Sequence, residues 1–441
     1  MRRLLKYTTL ILMVLMLSGS VWADTYTDHV TTAPNNKGDV LIFPWYMALD
    51  GGWQTKLTVI NTDQVNSVVA KLIVRSFKNS EELLDFFLYL SPADVWTGKL
   101  KYDTTLHRVV MYSDDDSALS AIAPALVWAS TTPINVPLFP LTCADDLDAI
   151  GYVEVIAAAA GKVKTGAPGE AKADIYADFA KVALGTSNMK KMGEIAQASR
   201  INSLAGYMQF MNTTAGLDAS LRATTLKDYG NTENMSTGAE TRIGLNAINS
   251  LAEVEAALTK NHLALPYVKG DDIAFHMFTF PTKLTGVDKD CKVTKADSPF
   301  FTDNYSSATY KFCVPYTIIT YDLTEKSPTS GTPYSGGDND SNSFCYEVNF
   351  LASTAFEYAE GWAYYAFEST AVTTDVTDNG DYLRYKGAPV IPTYFYIGTG
   401  GLSANYGAWT DDYVYCSSGV TTLTDYQYTD AIAVPTGCTI Q

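Results

Sequence analysis

The residues in this 441-residue chain best suited to chemistry are oxygen donors in turn-rich stretches. After Gly336-Gly337, the residues Asp338, Asp340 and Asn342 set carboxylate and amide oxygens at alternate positions, as at the start of a calcium loop. The glycine and glutamate that complete an EF-hand do not follow, so that fold is excluded. Asp375, Asp378 and Asp381, with Asn379 beside Gly380, make a second oxygen-rich turn, and Asp114-Asp115-Asp116 a third cluster. Calcium accepts such hard, flexible ligands, so it is the expected cofactor. The competing reading is a set of ordinary solvated loops, because Asp, Asn and Gly are also turn residues.

Catalytic patterns are sparse. The chain has no HExxH helix, G-x-S-x-G elbow or phosphate loop. Ser187 and Lys190 spell S-x-x-K, and Lys164-Thr165-Gly166 spells K-T-G, but in the reverse of the order that penicillin-binding enzymes use. His29, His107, His262 and His276 lie too far apart for a ligand set. His276, among Phe275, Met277 and Phe278, reads as a strand residue satisfied in a core, and His107 reads the same way. Glu357 and Glu360, beside Tyr358 and Trp362, are the most suggestive pair for a glycosidase. Their odd spacing sends them to opposite faces of a strand, and the expected context is an exposed turn. No catalytic residue is assigned, and an enzyme is the disfavoured class. Trp45, Tyr46, Trp53 and Trp96, and later Tyr358, Trp362, Tyr364 and Tyr365, read as sandwich packing; exposed in a row, they would suit sugar stacking.

Such groups have to be held by a scaffold, and the first 23 residues say where it works. Arg2, Arg3 and Lys6 precede an apolar run from Leu10 to Leu17, and Val21 and Ala23 supply the small residues of a signal-peptidase site. The run is too short to span a bilayer. Export is expected, to the extracellular space or outer cell surface, with the periplasm as the alternative and no integral membrane segment after cleavage. Cleavage removes three positive and no negative charges, taking the formal charge from −17 to −20. That balance repels nucleic acid and anionic membranes. The six cysteines, Cys143, Cys291, Cys313, Cys345, Cys416 and Cys438, read as disulfides in an exported chain. The expected pairs are Cys291–Cys313, Cys416–Cys438 and, by elimination, Cys143–Cys345.

The elements are mostly strands. Twenty-nine Tyr and abundant Thr and Val favour them. In VVAKLIVRSF, Ala70, Leu72 and Val74 alternate with Lys71 and Arg75, which predicts a strand with one wet face. Ile175, Phe179 and Val182 form a helical stripe, and Met189, Met192 and Ile195 a second helical run; together they suggest a helical excursion leaving one edge of a sandwich. Ser250 and Glu253 form a capping box ahead of Val254, Ala257 and Leu258. The expected fold is mainly β, antiparallel β-sandwich domains with a helical insertion. Its parts are a signal peptide (1–23), an N-terminal sandwich (24–215) with the insertion around 168–203, a polar loop and linking helix (216–270), and a C-terminal β-rich domain (271–441).

Three stretches occur in a characteristic order: GDVLIFPWYMALDGGWQTKLTVINT with LDFFLYLSPADVWTG; AFHMFTFPTK with the later Cys313 segment and YDLTEK; and GWAYYAF with YKGAPVI. This order resembles a family of large exported proteins of Gram-negative bacteria, some associated with the cell surface or surface layers. The resemblance implies an exported β-sandwich and a Gram-negative host, and carries no catalytic residues. The functional expectation is a non-enzymatic structural protein of the cell exterior, self-associating as a surface layer or coat with calcium support. A carbohydrate-binding or adhesive protein and an extracellular hydrolase are the rivals. The expected partners are copies of itself or surface glycans.

Overall fold

The computed structural model describes residues 30–115, 117, 134–138, 148–195, 199–230, 243–245, 251–260, 262–269, 273–283, 285–287, 293–296, 305–306, 311–324, 343–367, 376–378, 381–385, 387–398, 401–406, 408–410, 413–416 and 438–440. The proposed signal peptide lies outside them.

Alternating apolar residues build the N-terminal strands in chain order: β1 (Thr31–Thr32), β2 (Val40–Met47), β3 (Trp53–Asn61), β4 (Ser67–Ser76), β5 (Glu82–Leu90), β6 (Val95–Asp103), β7 (Arg108–Ser113), β8 (Ile134–Pro137), β9 (Ile150–Gly161), β10 (Lys190–Lys191), β11 (Leu204–Asn212), β12 (Leu217–Arg222) and β13 (Thr224–Lys227). They form two antiparallel sheets. One runs β1-β13-β2-β9-β4-β5 with β10 added to β9; the other runs β12-β11-β3-β6-β7-β8. Leu41, Phe43, Leu72, Val74, Leu88 and Val155 face Leu57, Val59, Trp96, Leu100, Met111 and Met208 across one core. Trp96 fits because position 98 is glycine: a Cβ there would sit 2.4 Å from the indole ring. Strands β12 and β13 fall in the stretch expected as a connector, so its first residues are sheet.

The second face of β4 is not wet, which corrects the expectation for Lys71 and Arg75. All ten residues of β4 are buried. The cover is helix α1 (Lys172–Phe179), a 3-10 turn at Val182–Leu184 and helix α2 (Leu251–Leu258), which contribute Ile175, Phe179, Val182, Val254 and Leu258 to a second apolar cluster with Val69, Ile73 and Ile156. The stripe of Ile175, Phe179 and Val182 thus packs on the sheet face instead of leaving an edge. The second helical run is also corrected: Lys190–Lys191 pair with Ala159 and Ala160 as β10, and Met192–Glu194 is a 3-10 turn. The sheet's pull on a short segment outweighs its 3.6-residue periodicity. Ser250 is outside the described residues, while the Glu253 carboxylate accepts the Val30 N–H at 3.0 Å.

The charges caught beneath this cover are paired. Lys71 Nζ lies 2.7 Å from Asp85, and Arg75 Nε 3.1 Å from the fully buried Glu154 carboxylate. Burial pushes the Glu154 carboxyl up, and Arg75 pulls it back only in part.

The C-terminal part contributes β14 (His262–Val268), β15 (Ile273–Thr279), β16 (Thr317–Asp322), β17 (Val348–Ala352), β18 (Glu360–Ala366), β19 (Ile391–Gly398), β20 (Gly401–Tyr406) and β21 (Ala408–Thr410). Two of its four-stranded sheets run β16-β18-β14-β21 and β17-β15-β19-β20, and a third joins Val376–Asp378, Asp381–Tyr385, Tyr413–Cys416 and Cys438–Ile440. Leu263, Leu265, Phe278, Ala363 and Tyr365 fill the space between the first two. The opposite face of the second sheet, through Met277, Val348 and Phe395, joins the N-terminal core. Pro44 has no N–H for the ladder, and the β2–β9 register shifts between Phe43 and Tyr46. The displaced backbone carries Trp45 to the junction, where it stacks on Phe210 at 4.0 Å and meets the edge of Phe395 at 4.9 Å. Its indole N–H donates to Thr393 Oγ1 at 3.0 Å, and the Thr279 hydroxyl donates to the Pro44 carbonyl.

Cys313 is bonded to Cys345, 32 residues away. This overturns the expected Cys291–Cys313 and Cys143–Cys345 pairs. Strand pairing, not loop length, decides it: Val314 and Pro315 pair with Phe344 and Ser343, which brings the flanking cysteines side by side. Cys416 and Cys438 are direct register partners in the antiparallel strands Tyr413–Cys416 and Cys438–Ile440. Cys143 and Cys291 lie outside the described residues.

Candidate functional site

The expected chemical groups are dispersed or already engaged. Asp338, Asp340, Asn342 and Asp375 lie outside the described residues. Asp378 and Asp381 are backbone register partners at the closed end of the hairpin formed by Val376–Asp378 and Asp381–Tyr385. Asp115 accepts the Ser117 N–H at 2.9 Å, so it closes its own turn. Among the described residues, no group of three or more His, Cys, Asp or Glu side chains converges as a metal site. Glu357 is exposed on the turn leading into β18, and Glu360 is exposed at the first position of that strand. His107 is exposed at φ 52° in the β6–β7 turn, not in a core as expected, because the hairpin needs a left-handed residue there.

His276 is fully buried, as its apolar neighbours suggest. Its Nε2 lies 2.7 Å from the Pro266 carbonyl, which only accepts, so Nε2 carries the proton and Nδ1 accepts from the Tyr365 hydroxyl at 2.6 Å. Burial lowers its pKa to about 4, with the Pro266 carbonyl acting the other way. A neutral ring with both nitrogens used is a structural part.

What is left open is a surface. On the outer face of sheet β16-β18-β14-β21, the register aligns Tyr321, Trp362 and Pro266 in one row and Ile319, Tyr364 and Ala264 in the next. Tyr321 stacks on Trp362 with centroids 4.1 Å apart, and His262 stacks on Tyr364 at 5.6 Å. Ile319 is 39% exposed, Pro266 is exposed and the aromatic rings are half-buried. Pro266 pairs with Trp362 on β18 and lies past the end of the β21 pairing. The face holds no charge until Glu360 at one end.

The face ends in an edge strand. Among the described strands β16 pairs on one side only, with β18. It approaches closely because position 361 is glycine: a Cβ there would lie 1.8 Å from the Tyr321 carbonyl oxygen. Its sequence, TIITYD, carries no Lys or Pro, and its one charge, Asp322, stands at the last position, leaving Thr317–Tyr321 without the charges that discourage strand-to-strand association.

Comparison of the chain with protein-family models, curated proteins and solved structures finds no match in any of the three. The surface therefore has to be read from its own chemistry. The aromatic row was half visible in the sequence. Trp362 and Tyr364 stand out in the sequence by residue type, whereas Ile319 and Tyr321 are signalled only by the uncharged period-2 run Thr317, Ile319, Tyr321. No helix among the described residues is long and apolar enough to cross a membrane.

Proposed function

We propose that this chain is a non-enzymatic structural protein of the cell exterior that acts by self-association, with β16 and its aromatic face as the contact between copies. The edge strand, uncharged until its last residue Asp322, carries the reading. On a chain of formal charge −17, most surfaces of two copies repel. The β16 face brings together Thr, Ile, Tyr and Trp without juxtaposing carboxylates along most of its length. Antiparallel pairing of two β16 strands would join the four-stranded sheets of two protomers about a two-fold axis, and the same patch would serve both partners. Calcium held by Asp338, Asp340 and Asn342 or by Asp375, Asp378 and Asp381 would add a second, chelator-sensitive contact between acidic loops.

Light scattering coupled to size exclusion, followed by negative-stain electron microscopy, tests this. Ile319→Lys places a charge on the edge and is expected to give monomers, while Ile319→Val retains the wild-type state. A monomeric wild type, with or without calcium, would overturn the proposal.

The stacked Tyr321 and Trp362 favour a second reading, in which the same face takes a surface glycan. Retention of the protein on a neutral polysaccharide, lost in Trp362→Ala, would select it.

A further inference from the structure

The outer face of the six-stranded sheet departs from the charge of the rest of the molecule. Side chains there follow the register: Arg222, Tyr207, Thr58 and Thr97 form one cross-strand row, and Ser220, Gln209, Lys56, Lys99 and Tyr112 the next, with Lys101 one step further along β6. Lys56 and Lys99 are direct neighbours on adjacent strands, an arrangement of like charges that costs stability. Among the described residues Lys56, Lys99 and Lys101 have no carboxylate within ion-pair distance. Instead the ring of Tyr112 lies 4.5 Å from Lys101 Nζ and 5.9 Å from Lys99 Nζ, which holds both amines over one spot. The face's two carboxylates, Asp218 and Asp103, sit at its margins, Asp218 taking a hydrogen bond from Gln209.

At the β12 end the face opens into a groove of about 740 Å³ lined by Lys37, Arg222, Tyr207, Ser220, Asn35 and Asn36, with no carboxylate in its lining. Tyr207 is 41% exposed. From Arg222 through Tyr207 to Lys56, Lys99 and Lys101 the cations follow a diagonal about 20 Å long, taking strand spacing and rise at their usual values.

We propose that this groove and its lysine track bind a linear acidic polysaccharide. A periodic chain carrying carboxylates would neutralise the repelling lysines one after another, while Asn35, Asn36, Ser220 and Gln209 offer amide and hydroxyl partners for sugar hydroxyls and Tyr207 an apolar ring face. A nucleic-acid strand, with its denser charge, meets stronger repulsion from the rest of this acidic protein. The track lies on the opposite sandwich from β16, so the inference stands apart from self-association.

The test measures binding of polygalacturonate, neutral dextran and a single-stranded oligonucleotide to the purified protein and to its Ile319→Lys form, which separates glycan binding from assembly. Polygalacturonate is expected to bind, dextran not, with binding weakening as salt rises. Lys56→Gln with Lys99→Gln should weaken it at least tenfold and, by relieving the repulsion, leave the unfolding temperature no lower than that of the wild type, while Lys56→Arg with Lys99→Arg retains both the binding and the wild-type unfolding temperature. Failure of polygalacturonate to bind, equal binding of dextran or of the oligonucleotide, or binding indifferent to the Gln pair would each overturn the assignment.

Discussion

Individual ionisable side chains set where in pH this fold is comfortable. His276 is held neutral with a pKa lowered to about 4, while an unfolded histidine titrates near 6.5. As pH falls from about 6.5 towards 4 the unfolded chain takes up a proton that the folded one refuses, so stability drops across that window, by ~3 kcal/mol at its foot. His276→Gln should flatten this part of a stability-against-pH curve measured by chemical denaturation. Asp39 titrates in the opposite sense. Burial raises its pKa to about 8, Asp228 adds to this, and Arg200 and backbone N–H groups of Asn202 and Tyr229 oppose it. Its folded form favours the proton, so its stabilising contribution is full below about 4 and is lost as pH rises through 8. Asp39→Asn is expected to raise the unfolding temperature more at pH 9 than at pH 5, and an equal rise at both would contradict that environment. Glu154→Ala would strand the Arg75 guanidinium in the interior, at a cost of about 3–5 kcal/mol in a urea titration.

For the elements, the sequence speaks most clearly where one periodicity meets one environment. Alternation in LDFFLYLSP places Phe86, Leu88 and Leu90 in the first core and Tyr89 in the second cluster, as its period of two implies. The same reading fails for Lys71 and Arg75, because the helices that cover β4 come from residues about 100 and 180 positions downstream, beyond any local pattern. It fails again at Met189–Ile195, where pairing with β9 overrides a short helical stripe. The disulfide pairing was equally hidden, since the two-residue strands that join Cys313 to Cys345 are set by tertiary contact. Of the proposed contact face, Trp362 and Tyr364 are legible in the sequence, but Tyr321 as their neighbour and the edge position of β16 are not, because both are properties of the whole sheet. Gly361→Ala should push β16 off β18 and cost about 1–3 kcal/mol as an overpacked contact. Faster hydrogen exchange confined to Thr317–Asp322 is the expected signature.

In the whole molecule, two sandwiches share one packing through Trp45, Phe210 and Phe395, so they are expected to unfold together. Trp45→Ala removes the central ring and its hydrogen bond to Thr393, at about 3–5 kcal/mol, and should split a single calorimetric transition into two. A rigid two-sandwich unit suits a structural protein, because force applied at a contact on one sandwich is carried by a core rather than by a linker. The acidic charge keeps copies apart except where a surface is neutral or inverted, and the described structure offers one of each: the β16 face and the lysine track. The measurement that bears most directly on the account is the mass in solution of the wild type beside Ile319→Lys, by light scattering at matched concentration. The wild type is expected as a two-fold or larger assembly and the variant as a folded monomer; the same mass for both would contradict self-association through β16.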